Sequence, residues 1–193
     1  SFAWTADYTA LQDFFVRVTR ERYENLFTNL KSQSDWQARR AEVKLGLDRM
    51  LGFDRAWPET PPEATITHRV ERPDYTLECL VLKVAPGLYC TANLYLPKKG
   101  AKPYPFIIYQ SGHSPNGPYG NKSQFKHHGA WFAARGIAVL ITDTIEMGEL
   151  KVTHHGPYYY EWYDWYSRGY SPLSAEIFNA RRAIDYLVTR PEL

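Results

Sequence analysis

The chain has 193 residues, and Lys+Arg 23 against Asp+Glu 21 leave a formal net charge of +2. That near-balance speaks against a nucleic-acid binder, which concentrates a basic surplus on one face, and no apolar run approaches the roughly 20 residues of a membrane helix. At 44% apolar and 23% charged residues, the composition fits one sizeable globular domain, alone or with a helical extension.

The first fifty residues carry helical spacing. Leu11, Phe14, Phe15, Val18, Leu26 and Leu30 recur at three- and four-residue steps between charges. Ser34-Asp35-Trp36-Gln37 has capping-box form, so Ser34 is expected to open a second helix whose stripe runs through Val43, Leu47 and Leu51 to a stop at Gly52. The prolines of Trp57-Pro58-Glu59-Thr60-Pro61-Pro62 propagate neither helix nor ladder. Residues 1–62 therefore read as a helical extension with a Pro-rich linker, and residues 63–193 as a separate α/β domain.

From Ile66 the period changes to two. Thr76 to Lys83 and Leu88 to Leu96 flank Ala85-Pro86-Gly87 and predict a hairpin. A two-residue turn there puts Cys79 and Cys90 on one face, about 13 Å apart along the strands, beyond the ~7 Å limit of a disulfide. Both are expected as buried thiols. Phe106-Ile107-Ile108-Tyr109 and Ile137-Ala138-Val139-Leu140-Ile141 are short, continuous and apolar, the pattern of strands buried on both faces. The polar loop 111–121 and a helix expected over 123–135 join them into a right-handed βαβ unit with a parallel sheet. Ser171-Pro172 then starts a helix, Ser171 as its cap, that carries Leu173, Ile177, Ala180, Ile184 and Leu187 on one face and ends at Arg190-Pro191. A crossover helix should hand the chain to another strand, so the sheet reads as unfinished within these residues.

Chemistry is sparse. The nearest match to a nucleophile elbow is Gly169-Tyr170-Ser171-Pro172-Leu173, which lacks the second glycine and places Pro172, with no N–H, where an oxyanion donor belongs. Ser171 is a helix cap. Ser111 has Tyr109 and His113 in place of both glycines. Ser111-Gly112-His113 instead sits at the carboxyl end of a parallel strand, where open α/β sheets bind ligands. The turn at Gly112 could aim the His113 amide into the crevice as an oxyanion donor; the alternative is an ordinary turn. The His127-His128 pair points about 100° apart on a helix and suits no shared metal, and His155 with Asp143, Glu146 or Glu149 reads as a solvated loop, the alternative being a polar pocket. The aromatic run from Tyr158 to Tyr166 follows no clean period. It is either a cover over the core or a platform on which ring faces stack, with Tyr160, Trp162 and Trp165 supplying the rings and Arg168 a polar handle.

From about Tyr75 to Leu193 the sequence resembles the amino-terminal half of the α/β-hydrolase fold, in its acetyl xylan esterase-like and dienelactone hydrolase-like branch. The resemblance rests on Thr91-Ala92-Asn93-Leu94-Tyr95-Leu96-Pro97, Ser111-Gly112-His113-Ser114-Pro115-Asn116-Gly117, Ile141-Thr142-Asp143, Trp165-Tyr166-Ser167-Arg168-Gly169-Tyr170-Ser171-Pro172, and the closing 183–192 helix. It implies a serine carboxylic-ester hydrolase with an acyl-enzyme intermediate and no metal or cofactor, acting on an ester or acetylated carbohydrate in an extracytoplasmic setting. It implies further that the His113 amide serves the oxyanion hole. The Ser-His-Asp/Glu triad would then lie on a downstream segment or a second polypeptide, the partner this chain requires, and the chain alone would be inactive. Two departures from the pattern stand out: Glu146 and Leu150 replace a glycine and an arginine after Asp143, and Ser111 stands where many hydrolases have histidine. The competing reading is a non-catalytic carbohydrate-binding module built on the Tyr/Trp-rich loop.

Overall fold

A computed structural model describes residues 8–57, 63–112, 120–145, 147–150 and 164–193. The chain divides into two compact units, residues 1–48 and 49–193.

The first unit is built from α1 (Tyr8–Glu24) and most of α2 (Gln33–Met50). The cap of α2 lies two residues earlier than its capping-box motif suggested. Ser32 Oγ accepts the Asp35 amide at 3.1 Å, and the Asp35 carboxylate accepts the Lys31 amide at 3.0 Å. With the helix starting at Gln33, Asp35 occupies the third position, and a carboxylate is a stronger acceptor there than the Gln37 amide. The Ser32 hydroxyl, then the Lys31 amide, hold the Asp35 carboxyl below its ordinary range.

The second unit is a mixed sheet of β1 (Glu63–Glu71), β2 (Tyr75–Ala85), β3 (Leu88–Pro97), β4 (Phe106–Tyr109) and β5 (Ala138–Thr142), ordered β1-β2-β3-β5-β4. β1, β2, β3 and β5 pair antiparallel in turn, and β4 runs parallel to β5. The expected hairpin forms, with one extra residue. Lys83 opposes Tyr89 and Ala85 opposes Leu88, which leaves Val84 as a bulge. That single insertion overturns the expectation for the cysteines. Cys90 opposes Leu82, an odd number of residues from Cys79, so the two side chains lie on opposite faces of the sheet. Both are free; Cys90 is fully buried and Cys79 half-buried.

One face of the sheet packs under α6 (Pro172–Leu187): Leu80, Leu82, Ala92, Leu94 and Leu140 meet Phe178, Ala183 and Leu187, and Trp57 lies 4.6 Å from the Phe178 ring. Burying side chains of this size stabilises by about 1.5–3 kcal/mol each. Ser171 caps α6 as its sequence implied, its Oγ accepting the Ser174 amide at 3.2 Å, and Pro172 occupies the first turn.

On the other face, Tyr95, Val139 and Ile141 pack with Ala133 and Phe132 of α4 (Lys126–Ala133). Gly129 lets that helix approach: a Cβ there would lie 2.5 Å from the Tyr95 ring. The single helix expected over 123–135 is two pieces, α3 (Gly120–Gln124) and α4, joined by a turn at Phe125 whose carbonyl accepts the His128 amide. β5 is buried along its whole length, whereas β4 is half-buried throughout, not enclosed as its apolar sequence suggested. It is the edge of the sheet among the described residues, and one flank has no neighbouring strand.

Candidate functional site

The carboxyl ends of β4 and β5 lie side by side, because the two strands are parallel neighbours. In such a sheet the loops leaving adjacent strands define a crevice. β4 leads into Gln110, Ser111 and Gly112; β5 leads into Asp143 and Thr144. Thr142 Oγ1 lies 3.4 Å from Gln110 Oε1, a long bond tying the two ends together.

Asp143 organises this end of the molecule. It is 2% exposed. Its carboxylate accepts Thr91 Oγ1 at 2.8 Å, the Lys122 amide at 3.1 Å and the Lys122 ammonium. Lys122 Nζ also meets Glu149 Oε2 at 2.8 Å. The β3 backbone contributes as well, since the Asp143 amide donates to the Thr91 carbonyl at 2.9 Å. Burial works against the Lys122 charge, and the bonds to Asp143 and Glu149 more than offset it, so the ammonium is held above its ordinary range. A buried carboxylate with three donors is a structural clamp, because most of its lone pairs are already committed.

Two glycines make the clamp possible. Gly120 has φ +63°, and a Cβ on it would sit 2.3 Å from Asp143 Oδ1; Gly148 has φ +103°, and a Cβ there would sit 2.6 Å from Asp143 Oδ2. Backbone therefore packs directly on the carboxylate at both glycines. Asn121 adds a bond from Nδ2 to Thr144 Oγ1 at 3.1 Å. The segment 113–119 is thus bracketed by two sheet-anchored points, Gly112 at the end of β4 and Gly120 on Asp143.

Burial pushes the nearby Cys90 thiol up to about 12, with the Asp143 charge adding to the effect. That cysteine is no nucleophile at neutral pH. Ser171 is committed to its cap, 60 residues along the chain from Ser111, and Ser111 Oγ is buried without a partner among the described residues. His128 Nδ1 and Tyr109 Oη lie 2.5 Å apart at the end of β4.

Of the residues singled out in the sequence, His113, Tyr160 and Trp162 lie outside the described residues, and Trp165 falls in α5 (Asp164–Ser167), where its side chain is outside the description. Arg168 is exposed, and its carbonyl accepts a hydrogen bond from the Arg55 guanidinium. What the sequence reading missed is the Lys122–Asp143 pair. A signal existed: Asp143 follows a strand that is apolar up to Thr142 and buried throughout, where a carboxylate must find a cation, and Lys122 sits at the far end of the glycine-rich loop that the same strand pair holds.

A second network fixes the opposite end of the sheet. Glu78 is 1% exposed and accepts Arg69 at 2.6 Å and Arg190 at 3.0 Å. Arg190 also bonds Tyr186 Oη at 2.7 Å and the Glu192 carboxylate at 2.8 Å. This network brings the residues after α6 back to the sheet, where the Tyr104 amide donates to the Glu192 carbonyl at 2.9 Å and Leu193 joins the core.

The strand order, the antiparallel hairpin feeding parallel strands and the crossover helices are those of the amino-terminal half of an α/β-hydrolase sheet. Solved structures carry the same fold. A provisionally assigned acetyl xylan esterase from Bacteroides fragilis matches with a TM-score of 0.65 at 16% identity, covering 84% of this chain and 46% of that one. A methylesterase matches with a TM-score of 0.66 at 20% identity over 90% of this chain and 37% of its own. An acetyl xylan esterase from Paenibacillus sp. R4 matches with a TM-score of 0.51 at 19% identity over 69% and 43%. The chain spans less than half the length of each of these proteins. No protein-family model and no curated protein sequence matches it.

Proposed function

We propose that these residues form the amino-terminal half of a serine carboxylic-ester hydrolase acting on an acylated carbohydrate. In this reading the His113 backbone amide stabilises the oxyanion. Tyr160, Trp162, Trp165 and Arg168 form a wall of the substrate pocket. The Ser-His-Asp/Glu triad lies on a segment outside the 193 residues. The serine hydroxyl attacks the ester carbonyl, its proton passes to histidine, and the alcohol leaves to give an acyl-serine. Water then attacks the acyl-serine and releases the acid. The amide-lined hole stabilises both tetrahedral intermediates; one donor of this kind is worth about 2.7–4 kcal/mol.

The observation that carries the proposal is the bond from the Tyr104 amide to the Glu192 carbonyl, on the flank of β4 away from β5. In a parallel ladder, alternate residues turn both backbone groups to the same neighbour. The Ala138 amide bonds the Pro105 carbonyl, so odd-numbered residues of β4 face β5 and even-numbered ones face the open flank. Tyr104–Glu192 is therefore a first rung on that flank, and a strand continuing from Leu193 would run parallel beside Phe106–Tyr109. Its carboxyl end would rise to the level of Gly112, which sets a nucleophile beside the proposed oxyanion amide. The similarity in fold to longer esterases, of which this chain covers 46% and 37%, supports the same arrangement.

An aryl acetate assay tests the reading. The chain alone should give no hydrolysis above buffer, and a longer polypeptide that continues past Leu193 through a serine elbow should turn the ester over. Turnover by the isolated chain would overturn the assignment of the triad to another segment.

A further inference from the structure

α6 keeps an apolar row that the sheet does not use. Leu173, Ile177, Ala180, Ile184 and, at its C-cap, Val188 recur at three- and four-residue steps. At 100° per residue they fall within a sector of about 80°. Leu173 is 55%, Ile184 42% and Val188 65% exposed, with Ile177 and Ala180 half-buried between them. The side chains that meet the sheet are others, Phe178, Ala183, Tyr186 and Leu187. Around the helix the row begins beside Leu187 and ends beside Arg181, whose guanidinium lies over the Phe53 ring at 5.3 Å. A single exposed leucine says nothing, but such a row over the length of a helix marks a contact surface.

The topology of the sheet decides what lies there. The crossover from β4 to β5 packs α4 on one face. The chain leaving β5 returns through α6 on the other face to the open flank of β4, where the Tyr104 amide bonds the Glu192 carbonyl. Right-handed crossovers taken in opposite directions put their helices on opposite faces, as these two do. A strand beside β4 has β4 on its inner side, so the sheet grows only outward from it. The next crossover therefore repeats the direction of the one through α6, and right-handedness places its helix on the same face, alongside α6. The two flanks of α6 differ accordingly. Phe53 and Trp57, whose ring lies 4.6 Å from that of Phe178, cover one flank and join the core with Ala64 of β1. The exposed row lies on the other flank, toward β4 and the incoming strand.

We propose that this row seats an amphipathic helix of the same polypeptide, the crossover helix that follows the strand after Leu193. The seat depends on the reading above that a strand continues from Leu193 beside β4, and it names the next element that strand brings. The row suits a helix, because its residues keep helical spacing and the small Ala180 at its middle admits a second axis at about 8–10 Å. A second copy of the chain paired through this row would leave the flank of β4 uncovered, whereas the crossover helix covers α6 and the new strand together.

Photo-crosslinking in a longer polypeptide that continues past Leu193 tests the seat, with Leu173, Ile184 and Val188 replaced singly by p-benzoylphenylalanine and the products mapped by peptide mass. Crosslinks from all three positions to one segment beyond residue 193 of the same chain, at yields unchanged by dilution, are the expected result. Crosslinks to a second copy, crosslinks only within residues 1–193, or none would each overturn the proposal. A charge on the row gives a second measurement. Ile184→Glu should leave the unfolding midpoint of the 193-residue chain unchanged, because the side chain meets water there, and lower that of the longer polypeptide; an unchanged midpoint in both would also overturn it. Aryl acetate turnover by the longer polypeptide reads the triad separately. An active enzyme without the crosslinks contradicts the seat and keeps the esterase reading, and an inactive one with them does the reverse.

Discussion

β4 and β5 run side by side with almost interchangeable sequences, Phe106-Ile107-Ile108-Tyr109 and Ala138-Val139-Leu140-Ile141-Thr142, yet their surroundings differ. Every residue of β5 is buried, and its end is fixed by four hydrogen bonds at Asp143: the carboxylate accepts one from Thr91 and two from Lys122, and the amide donates to the Thr91 carbonyl. Every residue of β4 is half-buried, and its far flank carries one rung, from Tyr104 to Glu192. Apolar content decides that a segment enters a sheet; the number of neighbouring strands decides how much of it is covered. The contrast locates the open side of this half-sheet and explains why the residues after α6 are delivered to that flank.

The sharpest way to break the contrast is to remove the clamp on β5. Asp143→Ala leaves Lys122 buried without its principal partner and should destabilise the second unit by about 3–5 kcal/mol in urea unfolding. A loss below about 1 kcal/mol would mean that the clamp is unimportant to stability. Equivalent truncations in the two strands come next. Leu140→Ala, at a fully buried position, should cost about 2–5 kcal/mol. Ile108→Ala, half-buried, should cost about half as much in this chain and approach the Leu140→Ala value once a strand lies beside it.

The smallest effect is a pH dependence beside the clamp. The Cys90 thiol ionises near 9.0 when unfolded and is pushed up to about 12 by burial in the fold. Its contribution is therefore complete below pH 9 and is lost as pH climbs toward 12, by about 1.4 kcal/mol per unit. Lys122, held above its ordinary 10.5, acts with the same sign but only beyond that pH. Cys90→Ala should reduce the slope between pH 9 and 10 and leave a smaller decline, since burial also raises the Cys79 thiol from 9.0 and the Tyr95 phenol from 10.0. An unchanged slope in that interval would remove Cys90 as its cause.

How far these features were legible in the sequence differs from element to element. The hairpin, the parallel pair and α6 follow from period and punctuation, because alternation and capping are local. The Val84 bulge escaped, since one unpaired residue leaves no mark in an alternating run, and it moved Cys90 to the opposite face from Cys79. The cap of α2 moved from Ser34 to Ser32 because two overlapping Ser/Asp arrangements compete within four residues. The half-burial of β4 depends on its neighbours, which no local pattern records. The Lys122–Asp143 clamp joins residues 21 apart across a loop. Of the proposed site itself, Gly112 and the strand ends were readable from the Ser111-Gly112-His113 segment, whereas the aromatic run carries no period from which to place its rings.

Amide hydrogen exchange on β4 in the 193-residue chain tests the open flank most directly. Ile107 and Tyr109, turned toward β5, should be strongly protected, and Phe106 and Ile108, turned away, should exchange orders of magnitude faster. Equal and strong protection of all four amides would contradict the account.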